Sequence, residues 1–259
     1  MNRSFCTPIP IAIGLAIVLA AACRMWALGT TDSFLQAGGN SESDDDPSTL
    51  LIVTADFNRD GIADVAEIVW PAGQRNGPCV LQILFGQKDG SYRSAVHLAL
   101  LNGDPRSMVA GDFNGDENPD LLVGNGDGSV TELLGDGKGN LRPAGEVAHV
   151  GSVISIAVGD FNHDGIPDIA VSDFRANAVT ILLGSGRGGF TPGWSFALPK
   201  RGTTYYLAAG DFNGDGIPDL AITSDEEGMF VVMLGNGNGT FTYAPELSHI
   251  RDPHSYCPT

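Results

Sequence analysis

Four nine-residue segments of the chain carry acidic and amide side chains on alternate residues. They read DFNRDGIAD from Asp56, DFNGDENPD from Asp112, DFNHDGIPD from Asp160 and DFNGDGIPD from Asp211. Positions 1, 3, 5 and 9 of each segment are Asp, Asn, Asp and Asp. Hard oxygen ligands at this spacing in a tight loop are what a protein chain uses to surround Ca²⁺. The sequence therefore predicts up to four calcium sites.

Each predicted site combines four side chains with one main-chain carbonyl, which position 7 supplies. The predicted ligands are Asp56, Asn58, Asp60, Ile62, Asp64, Asp112, Asn114, Asp116, Asn118, Asp120, Asp160, Asn162, Asp164, Ile166, Asp168, Asp211, Asn213, Asp215, Ile217 and Asp219. A glycine at position 6 lets the loop turn back toward the ion, but the second loop has Glu117 there. Because a non-glycine residue in a left-handed conformation is strained, we expect Asp116→Ala to cost less than Asp215→Ala.

The loops recur at the period of a repeat architecture. Their first residues lie 56, 48 and 51 residues apart, and short apolar runs flank each loop in the same order. These runs are rich in β-branched residues, are separated by Gly, Asn and Asp, and show no sustained helical stripe, so they predict strands. Four strands in each repeat is the pattern of a propeller blade. We therefore predict an all-β, β-propeller-like body of four four-stranded blades.

The loop motif and the LLGxGxGxF-like segment that follows it resemble a known repeat family. They are similar to the FG-GAP or VCBS repeats of bacterial secreted proteins and to the calcium-binding blades of integrin α-subunit β-propellers. The resemblance covers about residues 49–250, divided into repeats at about 49–101, 106–150, 153–198 and 204–250. It implies a calcium ion at positions 1, 3, 5, 7 and 9 of each loop. The blade number departs from the family, whose propellers usually have about seven blades.

The loop sequences allow two other interpretations. Residues 56–67 also satisfy the EF-hand pattern, with Glu67 at position 12, but the twelfth residues of the other copies are Val123, Val171 and Ile222. These side chains have no oxygen ligand to offer. Asp and Asn also favour turns without any metal, but four copies in one register favour calcium.

The N-terminus predicts export. Arg3 precedes a 12-residue apolar stretch, residues 11–22, which ends in three alanines before Cys23. Residues 1–27 therefore read as a signal peptide, with cleavage after Ala22 or Ala27, and the protein would be secreted, periplasmic or at the cell surface. Cys23 also resembles a lipobox cysteine, although Leu19 lies four residues before it rather than three, so a lipid anchor stays open.

The remaining segments complete the predicted organisation. Residues 28–48 read as a flexible acidic linker and residues 251–259 as a C-terminal tail. Cys79 and Cys257 are the two cysteines of the body, and in an oxidising compartment they could form a disulfide or stay as separate thiols. Four blades could close into a small ring, form an arc completed by a second copy in a homodimer, or remain a partial propeller.

The net charge and the absence of catalytic motifs limit the classes of function that we expect. The formal net charge is −17, and much of the acidity lies in the loops. Nucleic acid is not an expected partner, because binding it requires cationic patches. No HExxH, GxSxG or Walker motif is present, and the five histidines lack an evident catalytic partner, so no catalytic residue is predicted. We expect a secreted adhesion, ligand-binding or scaffolding module for a protein or glycan, with structural Ca²⁺. The alternative is a carbohydrate-active enzyme or lyase subunit built on a propeller.

Overall fold

The computed structural model describes residues 48–70, 78–101, 104–198, 205–224, 229–244 and 249–250. Within these residues every regular element is a β-strand, and the strands form four antiparallel sheets. The predicted signal peptide, most of the acidic linker and the C-terminal tail lie outside the described residues, as do Cys23 and Cys257. The part of the chain that the structure describes contains no helix long and apolar enough to cross a membrane.

Each sheet is built from consecutive strands of one repeat, joined in simple up-and-down order. The first blade contains β1 (Ser48–Ala55), β2 (Asp64–Trp70), β3 (Cys79–Gly86) and β4 (Tyr92–Leu101). The second contains β5 (Pro105–Gly111), β6 (Asp120–Asn125), β7 (Ser129–Gly135) and β8 (Leu141–His149). The third contains β9 (Val153–Gly159), β10 (Asp168–Asp173), β11 (Ala178–Gly184) and β12 (Phe190–Ala197). The fourth contains β13 (Tyr205–Gly210), β14 (Asp219–Ser224), β15 (Met229–Gly235) and β16 (Phe241–Tyr243), and β17 (His249–Ile250) also pairs with β15.

The four sheets are the blades of a β-propeller, which confirms the predicted fold class. The first strand of each blade is innermost: β1 contacts β5, β5 contacts β9, and β9 contacts β13. Two of these contacts include a serine hydroxyl that accepts a hydrogen bond from the next blade. Ser107 Oγ accepts from the Ile156 N–H at 3.0 Å, and Ser155 Oγ accepts from the Leu207 N–H at 3.1 Å.

The hydrophobic core lies between the blades, in three separate layers. One layer joins blades 1 and 2, the next joins blades 2 and 3, and the last joins blades 3 and 4. The central strands β6 and β10 are buried at every residue because each has a neighbouring blade on both faces. In β3, by contrast, residues 79–85 alternate between buried and half-buried, so one face of the first blade is covered less completely than the other.

The antiparallel order places two kinds of connection at the same end of every blade. The acidic loop joins the first strand to the second, and a glycine-rich turn joins the third strand to the fourth. We call this the loop end of the body. It is built by the residues that the sequence singles out as chemically active.

Candidate functional site

The four acidic loops share a common set of hydrogen bonds. In each loop the aspartate at position 1 accepts the N–H groups of positions 5 and 6, one on each carboxylate oxygen. In the first loop, Asp56 accepts from Asp60 at 3.0 Å and from Gly61 at 2.8 Å. The equivalent bonds are made to Asp112, Asp160 and Asp211. The position-1 side chain therefore folds the loop around itself.

The side chains at positions 3 and 5 tighten the same turn. The Asn58 side-chain oxygen accepts the Asp60 N–H at 2.9 Å, and Asp60 in turn accepts the Ile62 N–H at 2.9 Å. Both bonds recur in the other three loops. A carboxylate or amide oxygen has two lone pairs, so accepting one N–H leaves each of these oxygens able to bind a cation as well.

The aspartate at position 9 lies in a different environment from the other three predicted side-chain ligands. Asp64, Asp120, Asp168 and Asp219 are each fully buried, with 0% exposure. One oxygen accepts the N–H of the phenylalanine at position 2, and the other accepts the N–H of the glycine that ends the third strand. For Asp168 these donors are Phe161 at 3.0 Å and Gly184 at 2.7 Å. This aspartate ties the loop to the blade, a role that its spacing in the sequence does not reveal.

Burial is the largest influence on the pKa values of Asp64, Asp120 and Asp168. Desolvation raises the pKa of Asp120 to about 7 and the pKa of Asp168 to about 6, and it also raises the pKa of Asp64. The hydrogen bonds from the main chain oppose this effect, and the position-5 carboxylate of the same loop adds a smaller upward contribution to the pKa. The like-charge effect shows that positions 5 and 9 are close enough to repel, and a bound cation would offset this repulsion.

Two positions of every loop have a left-handed backbone. Position 6 has φ of +82° at Gly61, +67° at Glu117, +83° at Gly165 and +87° at Gly216. Position 4 is also left-handed, at Arg59, Gly115, His163 and Gly214. Each of the first three loops therefore holds one non-glycine residue in this region, and the fourth holds none. The motif drew attention to position 6 only, because position 4 varies in residue type.

Glu117 has a partner in the neighbouring blade. Its carboxylate lies 3.4 Å from the Arg59 guanidinium, which also donates to the Asn118 side-chain oxygen at 3.4 Å. Both charged side chains are well exposed, so the pair contributes little to stability. It does join position 4 of the first loop to position 6 of the second.

The loops also form part of the contacts between blades. The main-chain N–H of Gly139, in the glycine turn of blade 2, donates to the carbonyl of Phe57 in the first loop at 2.9 Å. The same bond links Gly188 to Phe113 at 3.1 Å and Gly239 to Phe161 at 2.8 Å. We call each such contact a loop–turn junction. A change in loop conformation would therefore reach the next blade.

The residues fit a calcium site in donor chemistry. Each loop supplies three carboxylates, one amide oxygen and one carbonyl, close to the six to eight oxygens that Ca²⁺ prefers, and water can complete the set. Among the described residues, no three His, Cys, Asp or Glu side chains are grouped closely enough to form a metal-binding cluster by themselves. The loops bring positions 1, 3 and 5 around one turn and place position 9 beneath it, and the twenty ligands remain predictions.

Other residues singled out in the sequence are not drawn into a site. His149 lies 3.1 Å from Glu146, and both side chains are exposed. His163 occupies position 4 of the third loop. Cys79 is buried as a free thiol, and its proposed partner Cys257 lies outside the described residues. Sequence reasoning missed Glu132, which is 3% exposed and has one carboxylate oxygen without a hydrogen-bond partner.

A propeller of repeated blades with one acidic loop each defines a class of repeat protein. The FG-GAP-like repeat family matches residues 56–123, 112–171 and 160–222, and the FG-GAP repeat matches residues 205–243. The chain belongs to the FG-GAP repeat family. This confirms the resemblance to FG-GAP repeats drawn from the loop motif.

Solved structures of other proteins are similar to part of this chain. A periplasmic gluconolactonase of Pseudomonas aeruginosa, PpgL, is 12% identical with a TM-score of 0.51, over 72% of this chain and 54% of that one. BBS1N, crystallised in complex with ARL6DN, is 11% identical with a TM-score of 0.49, over 76% of this chain and 54% of that one. This chain thus spans about half the length of either structure. At these identities the likeness concerns the fold and not the activity.

Proposed function

We propose that this protein is a secreted calcium-binding repeat protein whose propeller body serves as an adhesion, ligand-binding or scaffolding module. The observation that carries the proposal is the network shared by all four loops: the same acceptors fold each turn although the residues at positions 4 and 6 differ. Independent turns would not need the same carboxylates at every repeat. A shared ligand accounts for them.

Calcium has a structural role in this proposal. The ion would be held by positions 1, 3, 5, 7 and 9 of each loop, and its charge would offset the repulsion among the carboxylates. Because a carbonyl in three of the loops accepts a hydrogen bond from the next blade, an ordered loop also supports the loop–turn junction. Bound calcium would therefore make the body more rigid and keep the exposed loop end in one conformation. The loop end would then be available to bind a protein or glycan partner.

Removal of the metal tests this assignment. We expect EDTA to lower the melting temperature of the purified protein by several degrees and added Ca²⁺ to restore it, since a ligand that binds only the folded state stabilises it by mass action. Asp215→Ala should reduce the calcium-dependent gain more than Asp116→Ala does. Isothermal titration with Ca²⁺, and with Mg²⁺ as control, would give the number of sites. Identical melting curves in EDTA and in Ca²⁺ would refute the calcium assignment.

The alternative is a carbohydrate-active enzyme or lyase subunit. One protein of similar fold is a gluconolactonase, and propellers support both binding and catalysis, so fold likeness favours neither class. Incubation with a panel of polysaccharides separates the classes, because a binding module retains a glycan intact whereas an enzyme releases products. Retention without cleavage would support the module. Cleavage that survives repeated purification would support the enzyme.

A further inference from the structure

The three loop–turn junctions are built from the same parts. Besides the hydrogen bond from the glycine to the phenylalanine carbonyl, each junction buries the ring of that phenylalanine: Phe57 is 2% exposed, Phe113 2% and Phe161 0%. The ring meets the apolar residue that closes the glycine turn of the next blade. Phe113 packs edge-on against Phe190 at 5.9 Å between centroids, and Phe161 packs likewise against Phe241 at 5.4 Å. Phe57 and Leu141 share the first core layer.

The two terminal blades each carry half of a fourth junction. Phe212 is the equivalent phenylalanine of blade 4, and its side chain is 42% exposed. Tyr92 closes the glycine turn of blade 1 and is 54% exposed. A Cβ added at Gly90, in the same turn, would meet nothing within 4 Å. Among the described strands, β13 and β1 form no junction comparable to the three internal ones. Within the described residues the four blades therefore form an open arc.

The faces behind these two residues are apolar and incompletely covered. On blade 1, Ile52, Val65 and Leu84 lie half-buried on the face that points away from blade 2. On blade 4, Phe230 is 37% exposed on the face that points away from blade 3, whereas Ala221 and Val232 on the same face are buried, so only part of this face is uncovered. Apolar faces of this kind on a soluble protein mark interaction surfaces.

We propose that the open faces bind each other between two copies of this chain, blade 4 of one copy against blade 1 of the other. The surfaces are halves of a junction that the chain already makes three times, so a second copy supplies the matching half. The contact is head-to-tail, and made twice it closes a two-fold ring. Two arcs of four blades give eight, within the range of known propellers. The proposal does not depend on the assigned adhesion role.

The test compares exposed aromatic residues on and off the proposed interface. Phe212→Ser and Tyr92→Ser each remove one half of the junction, whereas Tyr243→Ser alters a residue of similar exposure (49%) on the outer strand β16. Each variant of the mature chain is measured by light scattering and sedimentation in Ca²⁺. We expect the unmodified chain to be a dimer and the two interface variants to raise its dissociation constant by about tenfold or more, the effect of losing a central aromatic contact. Tyr243→Ser should leave it unchanged.

Mixing the two interface variants gives a second, independent readout. A mixed dimer contains one intact junction and one in which both halves are altered, whereas either variant alone contains two damaged junctions. Partial recovery of the dimer on mixing is therefore expected from a head-to-tail ring. A monomeric unmodified chain, growth beyond the dimer, or a dimer that Phe212→Ser leaves intact would overturn the proposal. Circular dichroism of every variant checks that the fold is retained.

Discussion

At the scale of single residues, the aspartates of one loop divide into two roles. Those at positions 1 and 5 bond to main-chain groups of the turn itself, whereas the aspartate at position 9 is buried and bonds to the blade. A loss at position 9 therefore leaves buried donors without an acceptor. A loss at position 5 exposes a donor to water, which replaces the missing bond.

Asp168→Ala and Asp164→Ala distinguish these roles. In EDTA we expect Asp168→Ala to lower the free energy of unfolding by about 2–4 kcal/mol, because the N–H groups of Phe161 and Gly184 lose their acceptor, and Asp164→Ala by less than about 1 kcal/mol. In Ca²⁺ the cost of Asp164→Ala should grow. Urea unfolding under both conditions measures the difference. Equal costs in EDTA would contradict a structural role for position 9.

Glu132 is a buried carboxylate at a position that is apolar in the other blades. The equivalent residues are Ile83, Ile181 and Val232. Burial raises the pKa of Glu132, and the Arg142 charge opposes the rise only in part. As the pH rises, the folded state therefore releases this proton at a higher pH than the unfolded state does. The contribution of Glu132 to the free energy of unfolding is therefore most favourable below its unfolded pKa, and it becomes less favourable as the pH rises through the folded pKa.

Glu132→Ile should therefore stabilise the protein in a pH-dependent way. We expect a gain of about 1–2 kcal/mol at pH 8 and a smaller gain at pH 4, because protonation at low pH relieves the cost of burying the carboxylate. Unfolding curves of the two proteins across this range measure the effect. Glu132→Gln, which removes the charge but keeps the shape, serves as the control and should follow the same trend. A gain independent of pH would show that packing alone is responsible.

At the scale of elements, the glycine turns couple neighbouring blades. Gly139 and Gly189 both have a left-handed backbone, with φ of +84° and +87°. A Cβ at Gly139 would overlap the Phe85 ring of blade 1, whereas one at Gly189 would meet nothing within 4 Å. The two sites thus share the backbone strain of a substitution but differ in the contact across the junction.

Gly139→Ala should accordingly cost more than Gly189→Ala. Both pay about 1–2 kcal/mol for the left-handed conformation, and Gly139→Ala adds about 1–3 kcal/mol for displacing Phe85. Differential scanning calorimetry would show the difference as a lower melting temperature. Equal decreases in melting temperature would mean that Phe85 moves aside at little energetic cost and that the junction does not couple the blades.

At the scale of the whole molecule, the open arc ties stability to protein concentration. If two copies complete the ring, association stabilises the folded state by mass action. The melting temperature of the unmodified chain should then rise over a hundredfold increase in concentration, and that of Phe212→Ser should rise much less. A melting temperature that does not depend on concentration would contradict dimerisation of this chain.

The sequence alone determined the repeat, the strands and the family of this protein. These features follow from local patterns: a nine-residue motif that recurs, short β-branched runs, and turn residues between them. Each blade forms from contiguous chain, so local signals suffice to identify it. The donor set of the loops is also local, and it was therefore visible before any contact between distant residues was known.

Only the tertiary structure decided which side chains the blades cover. Asp168 and Asp164 look alike in the motif, yet one is buried against the end of β11 and the other is exposed, because a strand from elsewhere in the blade covers the first. The repeat likewise gave Phe161 and Phe212 equivalent places. Their exposures of 0% and 42% differ because the following blade covers Phe161, whereas no described blade follows blade 4 to cover Phe212, and the arrangement of complete blades is a long-range property.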